Sequence, residues 1–319
     1  MILSVPDYIL GSIAIAMLLD WFWGEPPVQF HPVVWMGRYL AWVANKVAPR
    51  AEEQTSFQKT KSFLSGFFFW CVGGCVVAAL AWGVQLGAQP MVWWLAILVT
   101  GFILNALFSL KLLITEVAQV ELALNDSLES GRAQLKRLVS RDVTTLNHVQ
   151  IRESAIESLA ENLNDSFIAP VFWFLVGGLP AAALYRFANT ADAMWGYKGL
   201  YGSYYLTWFG KWTARVDDVL SWFPAYISTL FICLILKCFS FRKIYQQAIK
   251  TPSPNGGWPM SAMAIGLGIK LSKPGVYVLN PEGSDASVTS VSRACDVATR
   301  VFYIVMLFVV CAFFVGLIK

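Results

Sequence analysis

The chain has 319 residues, of which 57% are hydrophobic, 15% aromatic and only 14% charged, with a formal net charge of +4. Its 14 Trp and 22 Phe and its positive mean hydropathy exceed what one soluble core of this size needs, so the soluble enzyme classes are excluded and an integral membrane protein is expected. Four of the six cysteines (Cys71, Cys75, Cys233, Cys311) lie inside apolar runs and no CxxC pair exists, which argues against a disulfide or metal framework. The two histidines, His31 and His148, are too few and too far apart for a zinc site, whereas oxygen ligands are plentiful, so a bound metal would be Mg²⁺ or Ca²⁺.

Apolar runs fall at residues 8–22, 63–83, 91–110, 167–185, 222–239 and 301–318, and most reach the ~20 residues that cross a bilayer as a helix. No Lys or Arg precedes Arg38, so the first run, which ends in Asp20, reads as retained rather than as a cleaved signal. Residues 84–90 carry no Lys or Arg, whereas the first loop holds five (Arg38, Lys46, Arg50, Lys59, Lys61) and residues 111–166 hold six. Both of these basic segments are therefore expected in the cytoplasm, with the N-terminus outside. The fourth run is interrupted by Pro170, Gly177, Gly178 and Pro180, which suits a re-entrant or kinked pair of short helices. If the fifth run also failed to cross, every Lys and Arg except Lys319 would be cytoplasmic. The expectation is an all-α, polytopic membrane protein with about 4–6 membrane helices, one of them re-entrant or kinked, together with cytoplasmic helices. It would form a single membrane-embedded domain over 1–319, with cytoplasmic catalytic segments near 20–62, 111–166, 186–221 and 240–300. No nucleic-acid partner is expected.

The polar segments carry the chemistry. Residues 111–127 show apolar positions at helical spacing and should continue the third membrane helix, with Gly131 interrupting the helix that follows. Ser140 and Asp142 offer capping oxygens before RESAIESLAENLNDSFIAP. There Glu153, Glu157, Glu161 and Asp165 recur every four residues, so a helix would line four carboxylates along one face. Like charges at that spacing repel, and two readings stay open: a solvated face or a cation site. Four other clusters border apolar runs, where ionisable groups are costly. LLDWFWGEPPVQFHPVVWMGR brings Asp20, Glu25, His31 and Arg38 into a proline-stiffened turn, which could equally be an interfacial anchor of Trp21, Trp23 and Trp35. YRFANTADAMWGYKG supplies Arg186, Asn189, Asp192, Tyr197 and Lys198, and ARVDD supplies Arg215, Asp217 and Asp218. TPSPNGGWPMSAM sets Ser253, Asn255, Gly256 and Gly257 ahead of a small-residue helix from about Met260, an arrangement suited to a phosphate cradle. No Walker P-loop, Rossmann turn or Gly-x-Ser-x-Gly elbow is present, so ATP, if used, is held differently.

Taken in order, LLDWFWGEPPVQFHPVVWMGR, SRDVTTL, ESAIESLAENLNDSFIAPVFW, GGLPAAALYRFANTADAMWGY, ARVDD and SPNGGWPMSAMAIGLGIKL resemble the CobD/CbiB family of cobalamin biosynthesis, adenosylcobinamide-phosphate synthase. The resemblance spans nearly the whole chain and thins over 47–64 and after Gly283. It implies a multi-pass inner-membrane enzyme whose active site faces the cytoplasm. This enzyme would join the free propionate carboxyl of adenosylcobyric acid to the amine of (R)-1-aminopropan-2-ol phosphate at the expense of ATP. Residue chemistry then assigns Glu157, Glu161, Asp165, Asp217 and Asp218 as the pool of Mg²⁺ ligands, Arg141, Arg186 and Arg215 as phosphate clamps, and His31 as a base. Asn162, Asn189, Asp192, Tyr197, Lys198 and the loop from Ser253 to Gly257 are the expected substrate and phosphate contacts. Other late-pathway membrane enzymes are conceivable partners. A secondary transporter, or a regulatory sensor of the related AmpE type, would share the membrane character without the ligase chemistry.

Overall fold

A computed structural model describes residues 5–317, so Ile318 and Lys319 lie outside the described residues. Helices dominate the chain. In order they are α1 (Val5–Phe22), α2 (Pro32–Val47), α3 (Ser56–Ala88), α4 (Trp93–Asn105), α5 (Leu110–Asp126), α6 (Leu128–Leu135), α7 (His148–Leu163), α8 (Ala169–Trp195), α9 (Lys211–Leu236), α10 (Phe241–Ala248), α11 (Gly257–Leu267) and α12 (Val288–Leu317). Two short antiparallel hairpins interrupt them, β1 (Leu200–Tyr201) with β2 (Tyr204–Tyr205) and β3 (Leu271–Lys273) with β4 (Tyr277–Leu279). Among the described residues five helical stretches are long and apolar enough to cross a membrane: Ser56–Ala88, Trp93–Asp126, His148–Trp195, Lys211–Leu236 and Val288–Gly316. The protein is thus an all-α, polytopic membrane protein, and the fifth apolar run is one 26-residue helix of spanning length.

The chain divides into two compact units, each gathering stretches distant in sequence. Among the described residues, one unit holds 5–108, 169–220 and 312–317. Here α3 starts on a capping box, Thr55 accepting from the Gln58 amide while the Gln58 side chain accepts from the Thr55 amide. Its small residues set how closely neighbours approach, because within a membrane packing rather than water exclusion draws helices together. A Cβ on Gly66 would fall 2.0 Å from the Phe209 carbonyl oxygen, and one on Gly73 would fall 2.5 Å from the rings of Tyr39 and Phe187. The predicted interruption of the fourth run lies at Gly177 and Gly178 in α8, where Gly178 adopts φ +67°, a region glycine tolerates. The Leu179 amide there donates to Gln85 Oε1 of α3 at 2.9 Å, bracing the break.

The other unit holds residues 109–168 and 221–311. Two expectations are corrected in it. Gly131 does not interrupt a helix but sits inside α6, where a Cβ would fall 2.3 Å from the Leu124 side chain; the break comes at Ser127, which caps α6 by accepting from the Ser130 amide. The carboxylate helix is capped not by Ser140 or Asp142 but by Asn147, in a capping box with Gln150. Asp142 instead closes a local turn, accepting from the Thr144 amide and hydroxyl, and these bonds hold its carboxyl below the ordinary range.

Candidate functional site

Helix α7 carries the site in the second unit. Its buried Ile151, Ala155, Ile156, Leu159, Ala160 and Leu163 form the apolar side that seats it. The carboxylate face is not solvated, because Glu153 and Glu157 are 0% and 3% exposed. Buried charges need partners, and each acid finds its own. The Ser272 hydroxyl donates to Glu153 Oε2, with Lys270 Nζ 3.8 Å from Oε1. Arg141 Nη2 donates to Glu157 Oε2 at 2.6 Å. Glu161 faces the glycine loop, its Oε1 only 3.0 Å from where a Cβ on Gly256 would stand. Asp165 lies beyond the end of α7 in a wide π turn, Asn164–Ile168, which rotates it out of the row; it accepts from Asn164 Nδ2 at 2.8 Å.

The Arg141–Glu157 pair is incompletely used. Arg141 Nη1 is buried without a hydrogen-bond partner, and Glu157 Oε1 makes no well-formed hydrogen bond, although the Tyr277 phenol stands within bonding reach of the Glu157 carboxylate. Such atoms are costly to bury, so they mark a place where a ligand can supply the missing bond. Tyr277 on β4 adds a phenol. Burial first, and then the carboxylates of Glu157 and Glu161, push its pKa up, so it stays a protonated donor.

The Ser253 to Gly257 loop leads into α11, which begins at Gly257 rather than near Met260, with Gly256 at the N-cap. Its conformation is held from within: the Gly256 amide donates to Asn255 Oδ1 at 2.7 Å, and the Ser253 hydroxyl donates to the same oxygen. A Cβ on Gly257 would fall 2.3 Å from Thr251 Oγ1, so no larger residue fits there. Asn162 turns its amide to the Ser158 carbonyl of its own helix, 2.9 Å away.

A second polar cluster lies in the first unit. Arg186 Nη1 donates to Asn189 Oδ1 at 3.2 Å, and Asn189 Nδ2 donates to Asp217 Oδ1 at 3.4 Å, linking α8 to α9. Asp217 is buried, Asp218 half-buried, and the charges acting on Asp218 are those of Arg215 and Lys198. Asp192 packs against the chain at Gly196, whose Cβ would fall 2.0 Å from Asp192 Oδ1. Tyr197 stacks flat on Tyr201, with centroids 3.7 Å apart. His31 is buried with Nε2 3.3 Å from Glu25 Oε2.

Tyr277 and the β3–β4 hairpin that carries it went unrecognised in the sequence. The one available signal was the Pro274-Gly275 turn, where Gly275 takes φ +73°. Among the described residues no group of three or more His, Cys, Asp or Glu side chains is placed to hold a metal. The donors nonetheless fit Mg²⁺, which usually takes one or two carboxylates and fills its other positions with water and phosphate oxygens. Glu157 Oε1, buried and without a well-formed hydrogen bond, and the neighbouring Glu161 are such a pair.

The chain matches the profile of the family described as "CobD/Cbib protein" over residues 13–300. It is 36% identical to the "Probable cobalamin biosynthesis protein CobD" of Methanothermobacter thermautotrophicus, with 85% of this chain and 86% of that protein covered. It is 34% identical to the protein of the same description from Pyrococcus abyssi (89% and 90% covered) and 32% identical to the "Cobalamin biosynthesis protein CobD" of Brucella anthropi (96% and 97% covered). No solved structure matches the chain.

Proposed function

We propose what this protein does from one premise: the chain belongs to the CobD/CbiB family of cobalamin biosynthesis. The reaction we infer is that of an ATP-dependent amide ligase. It attaches (R)-1-aminopropan-2-ol phosphate to the propionate carboxyl of adenosylcobyric acid, giving adenosylcobinamide phosphate. The observation that carries this reading is the Arg141–Glu157 pair, in which a buried guanidinium nitrogen has no partner and the carboxylate stands beside the Tyr277 phenol.

A carboxylate is a poor acyl donor until one of its oxygens is made a leaving group. In the proposed sequence the propionate oxygen attacks the γ-phosphorus of ATP and ADP departs. The amine then forms the C–N bond to the acyl carbon and phosphate leaves with the former carboxyl oxygen. Arg141 Nη1 is suited to donate to the phosphoryl oxygens on which charge develops, while its Nη2 bond to Glu157 fixes the guanidinium plane. Mg²⁺, held by Glu157 and Glu161, would neutralise phosphate charge. The Ser253 to Gly257 loop would border the nucleotide. Arg186, Arg215 and Lys198 bring cationic charge suited to a second phosphate, that of the amino alcohol, with Asn189, Asp192 and Tyr197 as further contacts. The ammonium must lose a proton before attack, and an imidazole suits that task near neutral pH. Of the two histidines His31 is buried beside a carboxylate and His148 is exposed, which favours His31 as the base. Inner-membrane location, a site facing the cytoplasm and association with later pathway enzymes belong to the same proposal.

The test is mass spectrometry of detergent-solubilised protein incubated with adenosylcobyric acid, aminopropanol phosphate and Mg·ATP. Product that requires all three is the expected outcome. Corrinoid binding without ATP-dependent product would point to transport or sensing instead.

A further inference from the structure

Helix α10 has a surface that neither a soluble helix nor the ligase chemistry explains. It begins five residues after the end of α9, a helix of membrane-spanning length. Ile244 and Ala248 face inward and are buried. Phe241, Tyr245 and Ile249, at i, i+4 and i+8, form a stripe that is 47%, 51% and 61% exposed. Phe239, also exposed, brings its ring within 6.5 Å of that of Phe241. A surface helix in water would carry polar residues along this stripe.

Charge identifies what covers it. Between Val219 and Pro281 there is no Asp or Glu, while Lys237, Arg242, Lys243, Lys250, Lys270 and Lys273 are all present. Arg242 and Lys243 are exposed on the sides of α10 away from its buried face. They line a cavity of about 550 Å³ together with Ser240, Gln246, Gln247 and Glu282. Gln247 Oε1 already accepts from Lys250 Nζ at 2.7 Å and from the Asn280 amide at 3.1 Å, so Gln247 forms wall, whereas Arg242, Lys243 and the Ser240 hydroxyl are donors lining the cavity. The cations outnumber the one carboxylate, Glu282, two to one. An exposed apolar stripe rimmed by cations is the pattern of a helix lying in the bilayer interface, with its rings among acyl chains and its cations at phosphodiesters.

We propose that α10 is an interfacial helix that binds anionic phospholipid, with Phe241, Tyr245 and Ile249 seated in the acyl boundary and Arg242 and Lys243 on a lipid phosphate. The proposal stands independently of the ligase reading. It is tested with the full-length protein in phosphatidylcholine nanodiscs, with and without phosphatidylglycerol, by hydrogen exchange over residues 241–250. Phosphatidylglycerol is expected to slow exchange across α10, more weakly at high salt, each basic residue at an anionic surface contributing about fivefold in affinity. The doubly substituted Arg242→Gln/Lys243→Gln protein is expected to lose that response while exchange in α7 is unchanged. Equal wild-type exchange in the two lipid compositions would overturn the proposal, whatever the variant does. So would equal slowing by inorganic phosphate in phosphatidylcholine alone, because the cavity would then be a soluble-anion site.

Discussion

Two Arg–Glu pairs flank α7, made of the same residue types and built to opposite ends. Arg152 meets Glu121 of α5 through a full fork, Nε to Oε2 and Nη2 to Oε1, both at 2.7 Å. Arg141 meets Glu157 through one bond of 2.6 Å and leaves a buried guanidinium nitrogen without a partner. The first pair is saturated and ties two helices together. The second retains bonding capacity in a place shielded from water, where each unmet polar group costs about 1–3 kcal/mol. A buried ion pair is thus a staple or a site according to how many of its bonds the protein itself completes.

The sharpest way to break this comparison is to remove one member from each pair. Arg152→Ala strands the largely buried Glu121 and should cost about 3–5 kcal/mol. That loss would be read as a lowered thermal midpoint, with specific activity of the remaining folded protein preserved. Arg141→Ala strands Glu157, 3% exposed, and should lower the thermal midpoint as well, but unlike Arg152→Ala it should also lower the turnover of the remaining folded protein by about 10²–10³-fold. If the folded Arg141→Ala protein stayed fully active, the distinction between the two pairs would collapse. Glu161→Gln probes the metal assignment and should raise the Mg²⁺ concentration for half-maximal rate by about tenfold or more; an unchanged Mg²⁺ dependence would remove Glu161 from the ligands. Gly256→Ala is the mildest test. Its Cβ would stand 3.0 Å from Glu161 Oε1, and crowding worth about 1 kcal/mol should raise the KM for ATP about fivefold with little change in the thermal midpoint.

Much of the architecture was legible before any coordinates. Runs of 15–21 apolar residues admit few fates besides a membrane helix, and the glycine pair in the fourth run marked the place where α8 breaks. The acidic row was legible too, because a four-residue spacing on a helix aligns side chains whatever surrounds them. Its environment was not. Whether Glu153 and Glu157 face water depends on Ser272 of the β3–β4 hairpin, 119 positions from Glu153, and on Arg141, 16 positions from Glu157. Local capping also misled: Ser140 and Asp142 have suitable oxygens, but Asn147 and Gln150 satisfy two amides at once and set the start of α7.

The sequence by itself determined the solvent this protein lives in, the helical class and the family, because those depend on composition, periodicity and motif order, which are properties of a linear string. Only the tertiary structure decided which acid belongs to which base. Pairing depends on what long-range folding brings within about 4 Å, so Glu153 went to Ser272 and Lys270, Glu121 to Arg152, and Glu157 to an arginine that still has a bond to give.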